Sequence, residues 1–437
     1  MDIPKSLDMQ EKAKGFIPGM TQLLSKRPDL FSLGVWPTYY SKAKGCEVWD
    51  LDDNKYIDMS IGGIGATVLG YADDDINEAV ITAIQNGTST SLNCPEEVEL
   101  AELLCEIHPW ASKVRYARTG GEAMTMAVRI ARTATGKDKV AFCGYHGWHD
   151  WYLAANLGTQ NALGEHLIPG LEPNGVPKNL AGTAFPFRHN QLEELQEIVD
   201  KHGDDLAAIV MEPIRNSAPT QEFIDGVRTL ADQSGATLIV DEISSGFRYI
   251  SGGAHKVFGI KPDIAVFSKA IGNGHPIAAV IGKEDIMQAS QRSFISSTYW
   301  TDRVGPVAAL ATIKKHRENN VGEHLIHLGE TVTKAWQKLS ALHAIKIHTG
   351  GIPQMTHFTF DCEEAPTIKA YFIQEMLEQG FLASTMFYAM YAHKDEHVEK
   401  YLSAVGNTFA KISKMTTEEI ALNLKGKASI SGFKRLN

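Results

Sequence analysis

The sequence predicts an α/β protein, with a large domain on a mainly parallel sheet and a smaller α+β domain drawn from the N- and C-terminal segments. Three observations carry this. From about residue 75 to about residue 286, short apolar runs alternate with stretches of helical length, as in strands joined by crossover helices. Runs such as Ile264-Ala265-Val266-Phe267 are apolar throughout, as strands buried on both faces are. The chain has 437 residues, 43% of them hydrophobic, enough for one large core and one smaller one.

Taken in order, residues 2–33 read as an amino-terminal arm with helical charge patterning, and residues 47–57 as a hairpin turning at Asp52-Asp53-Asn54-Lys55. Helices are expected at 75–85 and 96–107. A strand from Val114 enters the turn Thr119-Gly120-Gly121, and 124–135 is helical. A strand at 139–143 is followed by helices at 190–202 and 221–235, the second closing at its glycine. Strands at 236–241 and 264–267 complete the alternating region, and a long helix begins near Val304. The smaller domain takes a strand at 354–361, a helix at 367–379 and terminal helices through Met415. The expected division is 1–65 for the arm and part of the small domain, 66–310 for the large domain and 311–437 for the rest of the small one.

The formal charge is −10, which points away from nucleic acid and anionic membranes and toward small molecules as partners. Five scattered cysteines, at 46, 94, 105, 143 and 362, suit a reducing compartment. The first fourteen residues lack the apolar centre of a signal peptide, and no apolar run approaches membrane-spanning length. The expected location is cytoplasmic.

The chemistry is concentrated where apolar runs end. Lys269 follows the run 264–267 after Ser268 and leads into the turn Gly272-Asn273-Gly274, at the sheet edge where open α/β proteins bind ligands. A buried lysine there loses its proton more easily, and its free amine can form a Schiff base with a carbonyl. Asp241 ends the run 236–240 one crossover length upstream, so both side chains can emerge at one edge. An amine that holds an aldehyde and a carboxylate that pairs with a ring nitrogen are the two needs of a pyridine cofactor. Thr119-Gly120-Gly121 at a helix start offers amides and a hydroxyl to a phosphate. It is neither a P-loop nor a dinucleotide fingerprint. In Gly144-Tyr145-His146-Gly147-Trp148-His149-Asp150, Tyr145 can lie on a planar ring. A metal held by His146, His149 and Asp150 is disfavoured, because the spacing matches no familiar zinc motif.

Together these segments resemble the class III pyridoxal-phosphate aminotransferases of fold type I, in the glutamate-1-semialdehyde aminomutase-like branch. The resemblance rests on Tyr56-Ile57-Asp58, Val68-Leu69-Gly70, Thr119-Gly120-Gly121-Glu122-Ala123, Tyr145-His146-Gly147, Glu212-Pro213, Val240-Asp241-Glu242-Ile243, Ser245-Gly246-Phe247-Arg248, Pro262-Asp263 and Ser268-Lys269, in order, from about residue 35 to about residue 310. It implies a seven-stranded, mainly parallel sheet and pyridoxal 5′-phosphate as cofactor. It assigns Lys269 as the Schiff-base lysine, Asp241 as partner of the ring nitrogen, Ile243 and Tyr145 as the residues on the two ring faces, and Thr119, Gly120 and Gly121 as phosphate ligands. His146 and Glu212 fall beside the cofactor, and Asn216 or Ser217 near the ring hydroxyl. It also implies a homodimer, with Thr298 of one subunit reaching the other's cofactor phosphate.

The departures from the branch lie where substrate would be recognised. A Gly-Ser-Trp-Gly-Pro stretch of the aminomutases is replaced by Ile61-Gly62-Gly63-Ile64-Gly65-Ala66, the turn after the lysine acquires His275, and residues 382–393 are rewritten around Tyr388, Tyr391 and His393. Arg215, Arg27 and Arg248 are the cations available for a substrate carboxylate or phosphate; Arg215 is preferred, and Arg248 reads as structural. The leading expectation is an aminotransferase moving an amino group between an amino acid such as glutamate, or an amine, and a carbonyl acceptor. The alternatives are the aminomutase itself, a decarboxylase or racemase on the same scaffold, and a non-catalytic phosphate-binding protein.

Overall fold

The structure is a computed structural model that describes residues 2–158, 172–214 and 216–430. It divides into two compact units, Asp74–Gly322 and the combination of Met1–Asp73 with Glu323–Asn437.

The unit Asp74–Gly322 carries a seven-stranded sheet. Its order is Lys113–Ala117, Ala278–Gly282, Ile264–Phe267, Thr237–Asp241, Leu206–Met211, Lys139–Cys143 and Ala184–Pro186, and only Ala278–Gly282 runs against its neighbours. Alternate side chains of each strand feed opposite cores, as the two-residue period of a strand requires. Ile239 joins Val140, Phe142, Ala208, Val210, Ile264 and Val266 beneath Met124, Ala127 and Val128 of the helix Gly120–Thr135. Leu238 and Val240 join Ala141, Ile209 and Met211 against Phe223, Val227 and Leu230 of the helix Gln221–Ser234, with Leu195 of Leu192–His202. Both faces are covered, which is why these strands read as unbroken apolar runs.

The connection that matters for the site is the helix Gly120–Thr135. It leaves the edge strand Lys113–Ala117, passes over four strands and feeds Lys139–Cys143 far across the sheet. Its amino terminus therefore points back over the carboxyl edge of the central strands. A capping box fixes that terminus: Thr119 Oγ1 accepts from the Glu122 amide at 3.4 Å, and the Glu122 carboxylate accepts from the Thr119 amide at 3.0 Å. Gly136, with φ of 71°, closes the other end.

The second unit holds two small sheets. One orders Tyr40–Lys44, Glu47–Asp50, Lys55–Met59 and Phe381–Ala383, with the last pair parallel; the other orders Ile347–Ile352, Met355–Phe360 and Met386–Tyr388. The expected hairpin turns where predicted because Asp50 organises it, accepting from the amides of Asp52 and Asn54 at 2.9 Å each and from the Tyr56 hydroxyl at 2.9 Å. The arm's α-helix covers Pro4–Phe16 and is followed by short 3-10 turns at Pro18–Met20, Leu24–Lys26 and Pro28–Leu30, and a helix at Thr417–Leu422 extends past the predicted end at Met415.

The units divide at Asp73 and Gly322 instead of residues 65 and 310. Residues 66–73 are tied into the smaller sheets: Tyr71 donates to Asp58 Oδ2 at 2.5 Å, and the Val68 carbonyl accepts from the Tyr391 amide at 2.8 Å. The helix Val304–Glu318 packs along Asp74–Gln85 and Glu96–Ile107, which keeps it with the large sheet.

His393, expected in a pocket, is fully buried and structural. Its Nε2 donates to the Asp58 carbonyl at 2.8 Å, and its Nδ1 accepts from the Met390 amide at 3.0 Å. Burial pulls it from 6.5 to about 4, as it does His108 and His316 in the other unit. A histidine with a depressed folded pKa protonates first in the unfolded chain as pH falls. Its contribution is whole above 6.5 and is lost progressively down to about 4. Urea midpoints measured across that window should fall with pH, and His393→Asn should flatten the dependence; an unflattened curve would refute the assignment.

Candidate functional site

The carboxyl edge of the parallel strands gathers most of the residues expected there. Register places Cys143 beside Met211, Met211 beside Val240, and Asp241 beside Val266, so the segments after 143, 211, 241 and 267 leave the sheet side by side.

Lys269 opens the short 3-10 turn Lys269–Gly272 with φ of 49°, a left-handed conformation that a lysine adopts only when its surroundings impose it. Ser268 Oγ donates to the Ile277 carbonyl at 3.0 Å and helps impose it. The half-buried Lys269 amine donates to Ser244 Oγ at 2.8 Å. Burial first, then the Arg248 guanidinium, hold that amine below the usual lysine range, against the opposing pull of Asp241 and Glu212.

Asp241, 3% exposed, ends its strand with both carboxylate oxygens engaged. Oδ1 accepts from the Ile243 amide at 3.0 Å, and Oδ2 lies 2.7 Å from His146 Nδ1. His146 Nε2 faces the Cys143 carbonyl at 3.3 Å. This fixes the imidazole between the end of one strand and the carboxylate of another, and leaves it no role as a metal ligand.

Gly120 and Gly121 are required by contact. A Cβ at Gly120 would stand 2.8 Å from Ile243 Cδ1, and one at Gly121 would stand 2.7 Å from His149 Cε1. Their amides, at the first two helical positions, have no acceptor among the described residues. Two unpaired N–H groups at the positive end of a sixteen-residue helix, beside the Thr119 hydroxyl, suit a phosphate. Tyr145 is placed by Glu212, whose Oε2 accepts from its amide at 3.0 Å. Gly144, at φ of 123°, leaves room for that carboxylate, which a Cβ would approach to 2.6 Å. The Tyr145 ring is 42% exposed and meets Tyr152 edge-on, 6.0 Å between centroids.

Other expected residues fare differently. Thr298 and Asn216 are exposed, and His275 is half-buried and pulled below its usual value by burial. Arg215 lies outside the described residues. Arg27, expected as a cation for substrate, is 4% exposed and forked onto Asp29, with Nη2 to Oδ2 at 2.5 Å and Nε to Oδ1 at 3.1 Å. Its charge is committed within the smaller unit, which corrects that expectation. Tyr388 sits in the same unit, its amide donating to the Ser60 carbonyl at 2.7 Å. Arg248 is 1% exposed, with Nε donating to the Ser244 carbonyl at 2.6 Å.

Sequence reasoning missed two features. One is Ser244. The other is the buried group behind Asp241, where Glu242 accepts from the His255 amide and Nδ1 at 2.7 Å each and from Ser245 Oγ at 2.6 Å. Because the Trp110 indole donates to His255 Nε2 at 3.1 Å, that imidazole carries its proton on Nδ1. Burial alone would raise the Glu242 carboxyl, but its bonds to His255 and Ser245 hold it below the usual range. Glu242 was visible only as a second carboxylate at the end of the strand, and His255 and Trp110 carried no signal.

Residues 33–409 match the family Aminotransferase class-III. The chain is 33% identical over 428 residues to the 3-aminobutyryl-CoA aminotransferase of Cloacimonas acidaminovorans, covering 95% of this chain and 99% of the relative. It is 31% identical over 432 residues to a glutamate-1-semialdehyde 2,1-aminomutase of Syntrophobacter fumaroxidans, covering 93% and 98%. Among solved structures, the PLP internal aldimine form of the Sphingopyxis sp. MTA144 FumI protein superposes with a TM-score of 0.84 at 23% identity, covering 94% of this chain and 97% of that one, which speaks to the fold. The chain belongs to the class-III aminotransferase family.

Proposed function

We propose that this class-III aminotransferase uses pyridoxal 5′-phosphate held by Lys269, and moves an amino group from an amino acid or amine to a carbonyl acceptor. The observation that carries the reading is the meeting at one sheet edge of an amine of lowered basicity, a buried carboxylate and two unpaired helix amides.

When bound, pyridoxal phosphate supplies an aldehyde that condenses with amines and a ring that takes up the electron pair left when the adjacent carbon loses its proton. The residues divide the remaining work. Gly120, Gly121 and Thr119 hold the phosphate. Asp241, kept in place by His146 and the Ile243 amide, faces the ring nitrogen and keeps it protonated. Ile243 and Tyr145 bracket the ring, with Glu212 setting Tyr145. The free amine of Lys269 would be the base that takes and returns the proton. Asn216 or Ser217 is the choice for the ring hydroxyl, and His275 and Arg215 for the substrate.

The homodimer, with the exposed Thr298 of one subunit at the phosphate of the other, belongs to the same proposal. So does a cytoplasmic location, supported by the five scattered cysteines; among the described residues no helix is long and apolar enough to cross a membrane. The replaced stretch Ile61–Ala66 favours a transaminase over the aminomutase. A screen of amine donors against carbonyl acceptors, following cofactor absorbance, tests this. Donor-dependent bleaching reversed by an acceptor is expected; isomerisation of glutamate-1-semialdehyde without any net amino transfer between compounds would overturn it.

A further inference from the structure

Ser244 touches the amine on which the proposed reaction turns. Lys269 Nζ donates to its Oγ at 2.8 Å, and among the described residues that hydroxyl has no other partner. The turn presenting it is tied on both sides. The Ser244 carbonyl accepts from Arg248 Nε at 2.6 Å, the Ile243 amide is bound to Asp241, and Ser245 and the Gly246 amide are bound to Glu242, at 2.6 and 2.8 Å. A Cβ at Gly246 would lie 2.7 Å from Phe267 Cδ1, so the turn is also pressed against the strand that delivers Lys269. A hydroxyl fixed in this way addresses one position of the lysine amine.

The contact involves the amine in its released form. In that state the nitrogen lone pair takes a proton from the substrate carbon, the C–H electron pair stays with the carbon, and the amine becomes ammonium. An oxygen acceptor binds the ammonium more strongly than the neutral amine. Arg248, Asp241 and Glu212 are the charged groups whose fields act on this amine, the first against its ammonium and the other two in favour of it. Arg248 and burial work against the ammonium, so a fixed acceptor at 2.8 Å offsets part of that cost.

We propose that Ser244 is a further catalytic residue of this site: its hydroxyl holds the released Lys269 amine in one position and stabilises the ammonium it becomes. This rests on the transaminase reading above.

The free amine can be read directly by stripping the full-length protein of cofactor, adding pyridoxal phosphate and following its capture by visible absorbance across pH, since capture needs neutral Nζ. In Ser244→Ala the pH midpoint of capture should move down, because the partner of the ammonium is gone. Proton removal from an α-deuterated amine donor should slow about tenfold with a larger isotope effect. Ser244→Thr should restore both, and Ser244→Cys, whose sulfur is a poorer acceptor, should fall between. An unchanged midpoint and isotope effect in Ser244→Ala overturns the proposal. A wild-type chain that captures no pyridoxal phosphate overturns instead the transaminase reading, and the role of Ser244 with it.

Discussion

Lys269→Ala is expected to lower turnover by about four orders of magnitude or more and to leave no cofactor covalently held, while the protein folds normally. Two losses combine. The amine that anchors the aldehyde is gone, and so is the base that moves the proton. The fold should tolerate the change, because the Lys269 side chain is half-buried and its one hydrogen bond among the described residues is to Ser244 Oγ. Removing an amine that burial and Arg248 disfavour as a cation also relieves the site of an awkward charge. Cofactor should still associate reversibly through the amides of Gly120 and Gly121, so equilibrium dialysis against pyridoxal phosphate should show binding that borohydride does not make permanent. Wild-type turnover in this variant would remove Lys269 from its role.

Asp241→Asn should cost about 10²- to 10³-fold in kcat, the magnitude attached to the loss of one fixed electrostatic partner in a dry site. The substitution keeps the shape: an amide oxygen can still accept from the Ile243 amide. What disappears is the negative charge that would keep a ring nitrogen protonated. His146 also loses its carboxylate partner at 2.7 Å, so some destabilisation accompanies the kinetic effect. Steady-state kinetics with circular dichroism of the same sample separates the two. Full activity with native dichroism would show that the ring does not depend on this carboxylate.

The parts of this molecule that were legible in the sequence share a physical cause. The strands Ile264–Phe267 and Lys139–Cys143 begin and end where predicted because strands buried on both faces are apolar at their buried positions, here Ile264–Phe267 and Val140–Cys143. The helix Glu96–Ile107 also matches its predicted ends, with three glutamates in its first turn. Lys269, Asp241 and Thr119 drew notice because a polar residue at or just past the end of a strand stands at the edge where open α/β sheets bind ligands. The illegible parts depend on contacts between distant segments. Ser244 meets Lys269 25 residues away and His146 meets Asp241 95 away, and neither pairing leaves a local pattern. Arg27 misled for the opposite reason: its partner Asp29 is two residues on, yet a short exposed-looking Arg-Pro-Asp stretch carries no sign that the pair is buried. The unit boundaries moved because hydrogen bonds at Val68 and Tyr71, and the packing of Val304–Glu318, decide membership, and these are tertiary facts.

The central claim is that one lysine carries the chemistry. Loading the wild-type protein with pyridoxal phosphate, reducing it with borohydride and mapping the peptides by mass spectrometry tests it most directly. The account predicts a single reduced pyridoxyl adduct on the peptide containing Lys269. An adduct confined to another lysine, or none at all, would contradict it.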